Sequence, residues 1–418
     1  MRMRLSLLLG VALAATSHAK VYFKEDFNDE GWRDRWTVPS SWKPKEELGE
    51  WGWTAGQWHG DADDKGIQTT VDARHHGLSA KLSEPFTNAG TDLVLQFSVK
   101  NEQRLDCGGA YIKLLGEMDQ DTFGGATPYQ VMFGPDICGS SARTHVIFGY
   151  PPKNDNILVR NEVIVEKDQV SHLYTLHVKS DGSYEVYIDQ QSVRAGTLED
   201  DFDFLPPRLL NDPSVTKPEG WVDEARIPDP EDVKPEGYDD IPALLPDGDA
   251  VKPGDWDDED DGEWSPPMVG RTNPEYKGPW RPRIIDNPDY KGPWEHPQIA
   301  NPDYEGDPEL SIRCKDCMHI GFELWQVKSG TIFDDIIVTD SLEEAWAMAE
   351  ATWAAKKERE HIMREQFKAK ERAEREAEME IMRKAQQQQA AATDYASGLG
   401  ELGEDIFEEE EEDLDDEL

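Results

Sequence analysis

The sequences NDPSVTKPEGW (residues 211–221), PDPEDVKPEGY (228–238) and PDGDAVKPGDW (246–256) form a tandem repeat. A second repeat follows, most clearly in GPWRPRIIDNPDYK (278–291) and the copy after it. Proline at this density excludes helices and central strands, and a fixed period indicates an array of one small unit. We predict that residues 207–305 form a proline-rich hairpin arm, in which the two repeats run back along each other through short strand pairs. The alternative, a disordered linker, does not explain the regular spacing of the aromatic residues.

The segments on either side of the arm, residues 20–206 and 306–340, predict strands. Leu93, Leu95 and Phe97 alternate with other residues, which is the period of a strand with one buried face. Gly, Pro, Asn and Asp separate this run from further short runs of the same kind. Many short strands are typical of a sandwich of two antiparallel sheets. We therefore predict a mainly β fold, with the arm inserted into a β-sandwich.

Both ends of the chain differ from the sandwich. Residues 1–19 have the basic start, short apolar run and small-residue cleavage site of a signal peptide. Residues 341–390 carry apolar residues at helical spacing and predict one long helix. Residues 391–418 are predicted to form a disordered acidic tail, because the many carboxylates near its end repel each other and cannot pack.

Composition limits the partners. The formal net charge is −44, which disfavours binding to nucleic acid and attracts cations. No stretch after the signal peptide is apolar for long enough to span a membrane, so we expect a soluble protein in the secretory pathway. We also expect it to be a monomer. That compartment permits disulfides, and the four cysteines can pair in three ways.

No motif for catalysis is present: the sequence has no nucleophile elbow, P-loop or dinucleotide turn. We expect no enzymatic activity, with a glycoside hydrolase as an alternative because carboxylates are abundant. A sugar site is favoured by Tyr111 and Tyr129, whose rings offer flat apolar faces. Lys113 can donate, Asp136 can accept, and Met132 can fill space beside them. The alternative is two ordinary hairpins with exposed tyrosines.

Several motifs together identify a resemblance. VYFKEDF (21–27), DCGGAYIKL (106–114), MFGPDIC (132–138) and LWQVKSGTIFD (324–334), with the two repeats, closely resemble the calreticulin and calnexin family of lectin chaperones. The resemblance covers roughly residues 20–340. It implies a legume-lectin-like (concanavalin-like) antiparallel sandwich, location in the lumen of the endoplasmic reticulum, and a monoglucosylated N-glycan on newly made glycoproteins as the ligand. The family's glycan contacts fall on Tyr111, Lys113, Tyr129, Met132, Asp136, Glu323 and Trp325.

The resemblance also implies a structural calcium site. Its ligands map onto Asp26, Asp63, Lys65 and Asp334, with Lys65 acting through its backbone carbonyl because calcium takes oxygen ligands. Asp26 and Asp63 replace uncharged or basic residues of better-known members. The short acidic tail should bind further calcium ions loosely.

The family's disulfide maps onto Cys107 and Cys138. Cys314 and Cys317 form a pair that the family pattern does not include, and we expect a second, local disulfide there, with a redox or zinc role as alternatives. His172 matches a histidine that the family needs for chaperone activity; a histidine satisfied within the core is the alternative.

In the family, the tip of the arm recruits a thiol oxidoreductase of the protein disulfide isomerase class. Glu259, Asp261, Glu263 and Trp264 fall on the positions concerned. Acidic charge would speed the encounter with a basic surface, and the tryptophan would supply affinity. A solvated turn is the alternative.

The sequence thus predicts a calcium-dependent lectin chaperone that also buffers luminal calcium. A calcium storage protein with a decayed lectin site is the main alternative. The chain ends in Asp-Asp-Glu-Leu, of which only the last three residues match the usual luminal retrieval signal.

Overall fold

The structure, a computed structural model, describes the backbone of residues 19–260 and 262–411, and the side chains of these residues except 269–272 and 390–411. Residues 1–18 of the predicted signal peptide, Asp261 of the predicted partner site and residues 412–418 of the predicted tail lie outside the described residues. The chain divides into two compact units. One is Pro207–Tyr304, named the repeat segment below, and the other contains the residues before and after it.

The part of the chain before the repeat segment is built from short strands with two single-turn helices, α1 (Trp32–Arg35) and α2 (Leu198–Asp201). Its strands are, in order, β1 (Val21–Glu25), β2 (Trp36–Thr37), β3 (Trp51–Thr54), β4 (Gly66–Thr69), β5 (Arg74–Phe86), β6 (Leu93–Asn101), β7 (Cys107–Gly109), β8 (Ile112–Leu115), β9 (Val131–Cys138), β10 (Ser141–Tyr150), β11 (Asp155–Leu158), β12 (Ser171–Val178), β13 (Ser183–Ile188) and β14 (Gln191–Thr197).

Within the repeat segment, three-residue to five-residue strands pair across the two repeats. These strands are β15 (Leu209–Asn211), β16 (Arg226–Pro228), β17 (Leu244–Pro246), β18 (Met268–Thr272), β19 (Ile284–Asp286) and β20 (Gln298–Ala300). Strand β15 pairs with β20, β16 with β19 and β17 with β18, all antiparallel. The indole N–H of Trp221 donates to the carbonyl of Gly292 on the other repeat at 2.9 Å. The repeats therefore fold back on each other as a hairpin.

After the repeat segment the chain re-enters both sheets of the sandwich through β21 (Cys317–Gln326) and β22 (Thr331–Thr339). Sheet A has the order β14-β13-β12-β6-β22-β4-β3, with β1 beside β22. Sheet B has the order β11-β10-β9-β7-β21-β5-β2, with β8 between β21 and β9. One interior strand of each sheet thus comes from beyond the insertion, and the predicted mainly β, antiparallel sandwich is confirmed.

The core lies between the sheets and follows the predicted alternation. Phe97 of β6 is fully buried, and its ring meets Phe133 of sheet B at 6.1 Å and Phe322 at 6.5 Å. The residues between the core positions of β6 are also buried, because helices cover the outer face of sheet A. Gln96, for example, donates its side-chain amide to the carbonyl of Ala345 at 2.8 Å.

These helices are α3 (Leu342–Ala351) and α4 (Trp353–Glu411), and they differ from the single helix predicted over 341–390. The break falls at Thr352, whose backbone leaves the helical region. Trp353 donates its indole N–H to the carbonyl of Ser171 at 2.9 Å and so anchors the start of α4 on β12. The helical backbone runs past the predicted end at 390, because Ala, Gln, Leu and Glu, all good helix formers, dominate residues 385–411.

Candidate functional site

Three neighbouring strands of sheet B present the predicted sugar contacts on one face. Along β8 and β9, Ile112 and Leu114, and Val131 and Phe133, are fully buried in the core. Side chains alternate between the two faces of a strand, so the residues between these positions point away from the core. Lys113 on β8, Met132 and Asp136 on β9, and Glu323 and Trp325 on β21 occupy such outward positions. Tyr111 and Tyr129 lie just before β8 and β9.

Lys113 lies at the centre of this face. Its ammonium is 2.8 Å from Oε2 of Glu323, 4.9 Å from the ring centroid of Tyr129 and 5.9 Å from that of Tyr111. Its backbone is paired with Met132 on one side and Gly321 on the other. One cation therefore holds together a carboxylate and two aromatic rings that come from three separate segments of the chain.

The two tyrosines keep their hydroxyl protons. Burial, and then the nearby carboxylates of Glu323 and Asp136, raise the pKa of Tyr111. Burial and Glu323 likewise raise the pKa of Tyr129. Both phenols are therefore available as hydrogen-bond donors and acceptors at neutral pH, and Glu323 and Asp136 are neighbours of the same ring.

Asp136 is fixed by His145, which was not predicted as a site residue, and by a neighbouring disulfide that was. Its Oδ2 lies 3.2 Å from Nε2 of His145, whose ring packs edge-on against Tyr111 with 5.9 Å between centroids. Asp136 is two residues from Cys138, which forms a disulfide with Cys107 between β9 and β7. The disulfide and the histidine together limit the movement of this carboxylate.

Trp325 extends the site along an aromatic row. Its side chain is 41% exposed, and its ring lies 4.7 Å from that of His75, which lies 5.3 Å from that of Trp42. Burial, and then Lys43, lower the pKa of His75, so its ring is neutral at pH 7. Trp42 and His75 were not predicted as site residues.

The loop that carries Trp42 packs closely on glycines. A Cβ at Gly124 would lie 2.0 Å from the indole nitrogen of Trp42, and a Cβ at Gly77 would lie 3.2 Å from its ring. Gly125, next along the chain, would place a Cβ 3.4 Å from Oε1 of Glu323. The glycines at 77 and 124 therefore make room for the Trp42 ring, and Gly125 lies within van der Waals distance of the Glu323 carboxylate.

The arrangement suits a neutral, hydroxyl-rich ligand. Lys113 and the phenols donate, Asp136 and Glu323 accept, and the rings of Tyr111, Tyr129 and Trp325 offer apolar faces. Such a set recognises a sugar ring by its edge hydroxyls and its C–H faces. The structure thus brings the predicted sugar contacts to one face.

The segments of the predicted calcium ligands also meet. Asn28, two residues after Asp26, accepts a hydrogen bond from the backbone N–H of Lys65 and donates to Oδ1 of Asp64, both at 2.8 Å. The side chain of Asp63 is exposed. The carboxylate of this segment that contacts Asn28 is therefore that of Asp64, which was not predicted as a ligand.

A lysine of α4 lies among three aspartates, Asp64, Asp334 and Asp335. The ammonium of Lys356 on α4 lies 3.0 Å from Oδ2 of Asp334 and 3.5 Å from Oδ2 of Asp335, and it also pairs with Asp64. Burial raises the pKa of both Asp334 and Asp335. Across the described residues, no group of three or more His, Cys, Asp or Glu side chains is arranged to hold a metal ion. The predicted ligand set therefore does not fit calcium while Lys356 is in place.

His172 is held by two carboxylates. Its Nδ1 lies 2.8 Å from Oδ2 of Asp189, and its Nε2 lies 2.8 Å from Oδ1 of Asp168. Burial alone would lower the pKa of His172, but the two carboxylates outweigh it and raise the pKa to about 10. His172 is therefore a partly buried imidazolium beneath α4. It lies on β12 of sheet A, whereas the predicted sugar contacts lie on sheet B.

The second cysteine pair is a disulfide. Cys314 and Cys317 are bonded to each other, and both are fully buried. Their sulfur atoms are thus committed to each other, which agrees with the expected local disulfide and leaves no thiol there for zinc or for thiol exchange.

The described residues of the predicted partner site lie in the loop between β17 and β18. The backbone N–H of Glu259 donates to Asp257 at 2.9 Å, and that of Trp264 donates to Asp258 at 3.3 Å. Glu263 is exposed and Trp264 is half-buried. These contacts shape an acidic turn with an accessible tryptophan.

No helix in the described part of the chain is long and apolar enough to cross a membrane.

Comparison with known proteins agrees with these observations. A model of the calreticulin family matches residues 23–261 and 239–338. The chain is 47% identical over 377 residues to calreticulin of Dictyostelium discoideum, which covers 90% of this chain and 87% of that protein. It is 49% identical over 362 residues to calreticulin of Chlamydomonas reinhardtii, and the matched region covers 85% of this chain and 84% of that protein. The globular domain of T. cruzi calreticulin superimposes with a TM-score of 0.59 at 30% identity, over 84% of this chain and 99% of that one.

Proposed function

The chain belongs to the calreticulin family of lectin-type chaperones, and from that premise we propose that it binds the monoglucosylated N-glycan of newly made glycoproteins. The observation that supports this most directly is the Lys113–Glu323 ion pair between the rings of Tyr111 and Tyr129. A glucose ring needs paired donors and acceptors at its edge and an apolar face, and this cluster supplies both.

The wider function proposed here is folding and quality control of glycoproteins in the lumen of the endoplasmic reticulum. Glu259, Asp261, Glu263 and Trp264 at the turn of the repeat segment would recruit a protein disulfide isomerase family member through a basic surface. Exposed carboxylates of the acidic tail would buffer calcium with low affinity, since each site is poorly organised.

The test is a calorimetric titration of a monoglucosylated oligosaccharide and of the same oligosaccharide without glucose. We expect binding of the glucosylated form only, and its loss in Tyr111→Ala and Asp136→Ala. Tyr290→Ala, which removes an exposed tyrosine in the repeat segment, is the matched control and should bind as the wild type does.

The other outcomes identify the alternatives. Calcium uptake with no binding of either oligosaccharide would support a storage protein and would refute the lectin function. Release of free glucose during long incubation would instead support a glycoside hydrolase.

A further inference from the structure

A second cavity, called the edge cleft below, opens beside the sugar face. It is lined by residues of the segments 116–130, 149–156 and 305–315, together with Leu205. All of these residues belong to the unit outside the repeat segment. The volume of the edge cleft is about 1200 Å³, whereas small-molecule sites have volumes of about 300–1,000 Å³. The edge cleft is therefore large enough to hold a segment of polypeptide.

Part of the lining is apolar and rigid. Its apolar residues include Met118, Pro128, Pro151, Pro152, Leu205 and Ile312. Proline fixes its own backbone φ, so the segments that carry these prolines lose little conformational freedom when a ligand binds. Apolar side chains of a ligand would leave water on contact with this surface, which favours binding.

The charged part of the lining is acidic, with five carboxylates against the two cations Arg313 and Lys315. Neither cation offsets this surplus at the surface. The ammonium of Lys315 is paired with a glutamate at 3.3 Å, and Arg313 is only 5% exposed. Glu117, Asp155 and Glu305 form no ion pair with any residue that the structure describes. Their charge favours a ligand that brings cations of its own.

The edge cleft also includes the start of an edge strand. Strand β11 is the last strand of sheet B on its side, and its first residues, Asp155 and Asn156, line the cleft. An edge strand leaves backbone N–H and C=O groups unpaired on its outer side. An extended peptide beside β11 would thus find hydrogen-bond partners that do not depend on its sequence.

We propose that the edge cleft binds an extended polypeptide segment that carries both apolar and basic side chains. A neutral sugar branch is disfavoured, because it would leave the surplus carboxylates without a cation. The edge cleft meets the sugar face at Tyr129, whose ring lies 4.9 Å from the ammonium of Lys113. The inference goes beyond the proposed glycan binding and does not depend on it, since the other predicted sugar contacts do not line the cleft.

The test is fluorescence anisotropy of the full-length protein with a short labelled peptide in which leucine and lysine alternate. The same peptide with glutamate in place of lysine is the comparison. We expect the lysine peptide to bind, more weakly as salt is added, and the glutamate peptide not to bind. The double variant Glu117→Gln/Glu305→Gln should bind the lysine peptide about fivefold more weakly, because two attracting carboxylates are lost. Glu343→Gln, at an exposed position on α3, is the matched control and should bind as the wild type does.

A second variant tests the apolar part of the lining. Leu205→Asp should abolish binding of the lysine peptide and leave binding of the monoglucosylated oligosaccharide unchanged. Ile164→Asp is its control, because Ile164 is an exposed apolar residue of the same unit outside the edge cleft. Tyr111→Ala should show the reverse pattern, with the oligosaccharide lost and the peptide kept, and Tyr129→Ala should weaken both ligands.

Several results would overturn the inference. These are equal affinity of the wild type for the two peptides, no binding of the lysine peptide, and a Glu117→Gln/Glu305→Gln variant that binds as tightly as Glu343→Gln. Because both of its positions are exposed, the double variant decides the matter even if Leu205→Asp does not fold. An equal loss of oligosaccharide and peptide affinity in the double variant would assign the edge cleft to the sugar site instead. Failure of the wild type to bind the oligosaccharide would refute only the proposed glycan binding, since the peptide is measured without it.

Discussion

Lys113 and Glu323 form an ion pair of 2.8 Å across β8 and β21, with side chains only 4% and 13% exposed. Two charges at this depth remain stable only as a pair, because each would lose its hydration without a partner. The pair also fixes Oε2 of Glu323, while Oε1 is the atom of this side chain nearest to Gly125. An interaction within the protein thus orients the acceptor that a sugar would use.

Lys113→Met should therefore affect both stability and binding. We expect a loss of about 3–5 kcal/mol in the free energy of unfolding, because Glu323 is left buried and unpaired, and no detectable glycan binding. The double variant Lys113→Met/Glu323→Leu should regain most of the stability but none of the binding. Urea unfolding and calorimetry measure the two quantities, and a single variant as stable as the wild type would contradict the buried-pair interpretation.

The aromatic row of Trp325, His75 and Trp42 predicts a dependence on ligand length. Trp42→Ala should weaken binding of a monoglucosylated oligosaccharide by roughly fivefold, or about 1 kcal/mol, by removal of one aromatic contact. A glucosyl-mannose disaccharide, too short to reach Trp42, should bind the variant unchanged. Trp256→Ala, which truncates an exposed tryptophan of the repeat segment, is the control; equal losses for both ligands would show that Trp42 acts only through the fold.

The sandwich could be predicted from the sequence because its information is local. The alternation of Leu93, Leu95 and Phe97 indicates the strand β6, and two short family motifs contain Tyr111 with Lys113 and Met132 with Asp136. Trp42 and His75 could not be predicted in the same way. Trp42 is in a loop and His75 is on β5. They join the site only through packing between segments that are separate in sequence, and no period marks them.

The role of Lys356 was missed for a different reason. Trp353, Lys356, Glu360 and Arg364 recur at helical spacing and face sheet A, where Glu360 is 2% and Arg364 is 6% exposed. This face is not marked by an apolar stripe in the sequence, because three of its four members are charged. Charged residues at core-facing positions are themselves the signal, and they indicate buried partners of opposite charge.

The histidine clamp predicts a specific dependence of stability on pH. The pKa of His172 in the folded protein is about 10, above the usual value of about 6.5 for an unfolded chain. The imidazolium therefore stabilises the fold fully below pH 6.5, and this contribution is lost as the pH rises toward 10. The stability difference between wild type and His172→Gln should shrink above pH 6.5, by up to about 1.4 kcal/mol per pH unit.

Unfolding at pH 6.5, 7.5 and 8.5 measures this difference. His296→Gln, at an exposed position in the repeat segment, is the control and should show no change of the difference with pH. A constant gap between wild type and His172→Gln would mean that Asp168 and Asp189 do not hold a charged ring.

The two disulfides should contribute unequally to the free energy of unfolding. A cross-link lowers the entropy of the unfolded chain by an amount that grows with the logarithm of the number of residues in the loop that it closes. Cys107–Cys138 spans 31 residues and Cys314–Cys317 spans 3. Loop entropy then gives about 3–4 kcal/mol for the first and about 2 kcal/mol for the second.

Replacing Cys107 and Cys138 by Ala should accordingly lower the melting temperature more than the same change at Cys314 and Cys317. It should also weaken glycan binding, because Asp136 lies two residues from Cys138 and its strand pairs with β7 through this link. The second replacement lies at the opposite end of β21 from Trp325 and should leave glycan affinity unchanged. Calorimetry of both double variants measures the melting temperature and the glycan affinity. Equal loss of affinity in the two variants would show that the sheet as a whole positions Asp136, rather than its neighbouring disulfide.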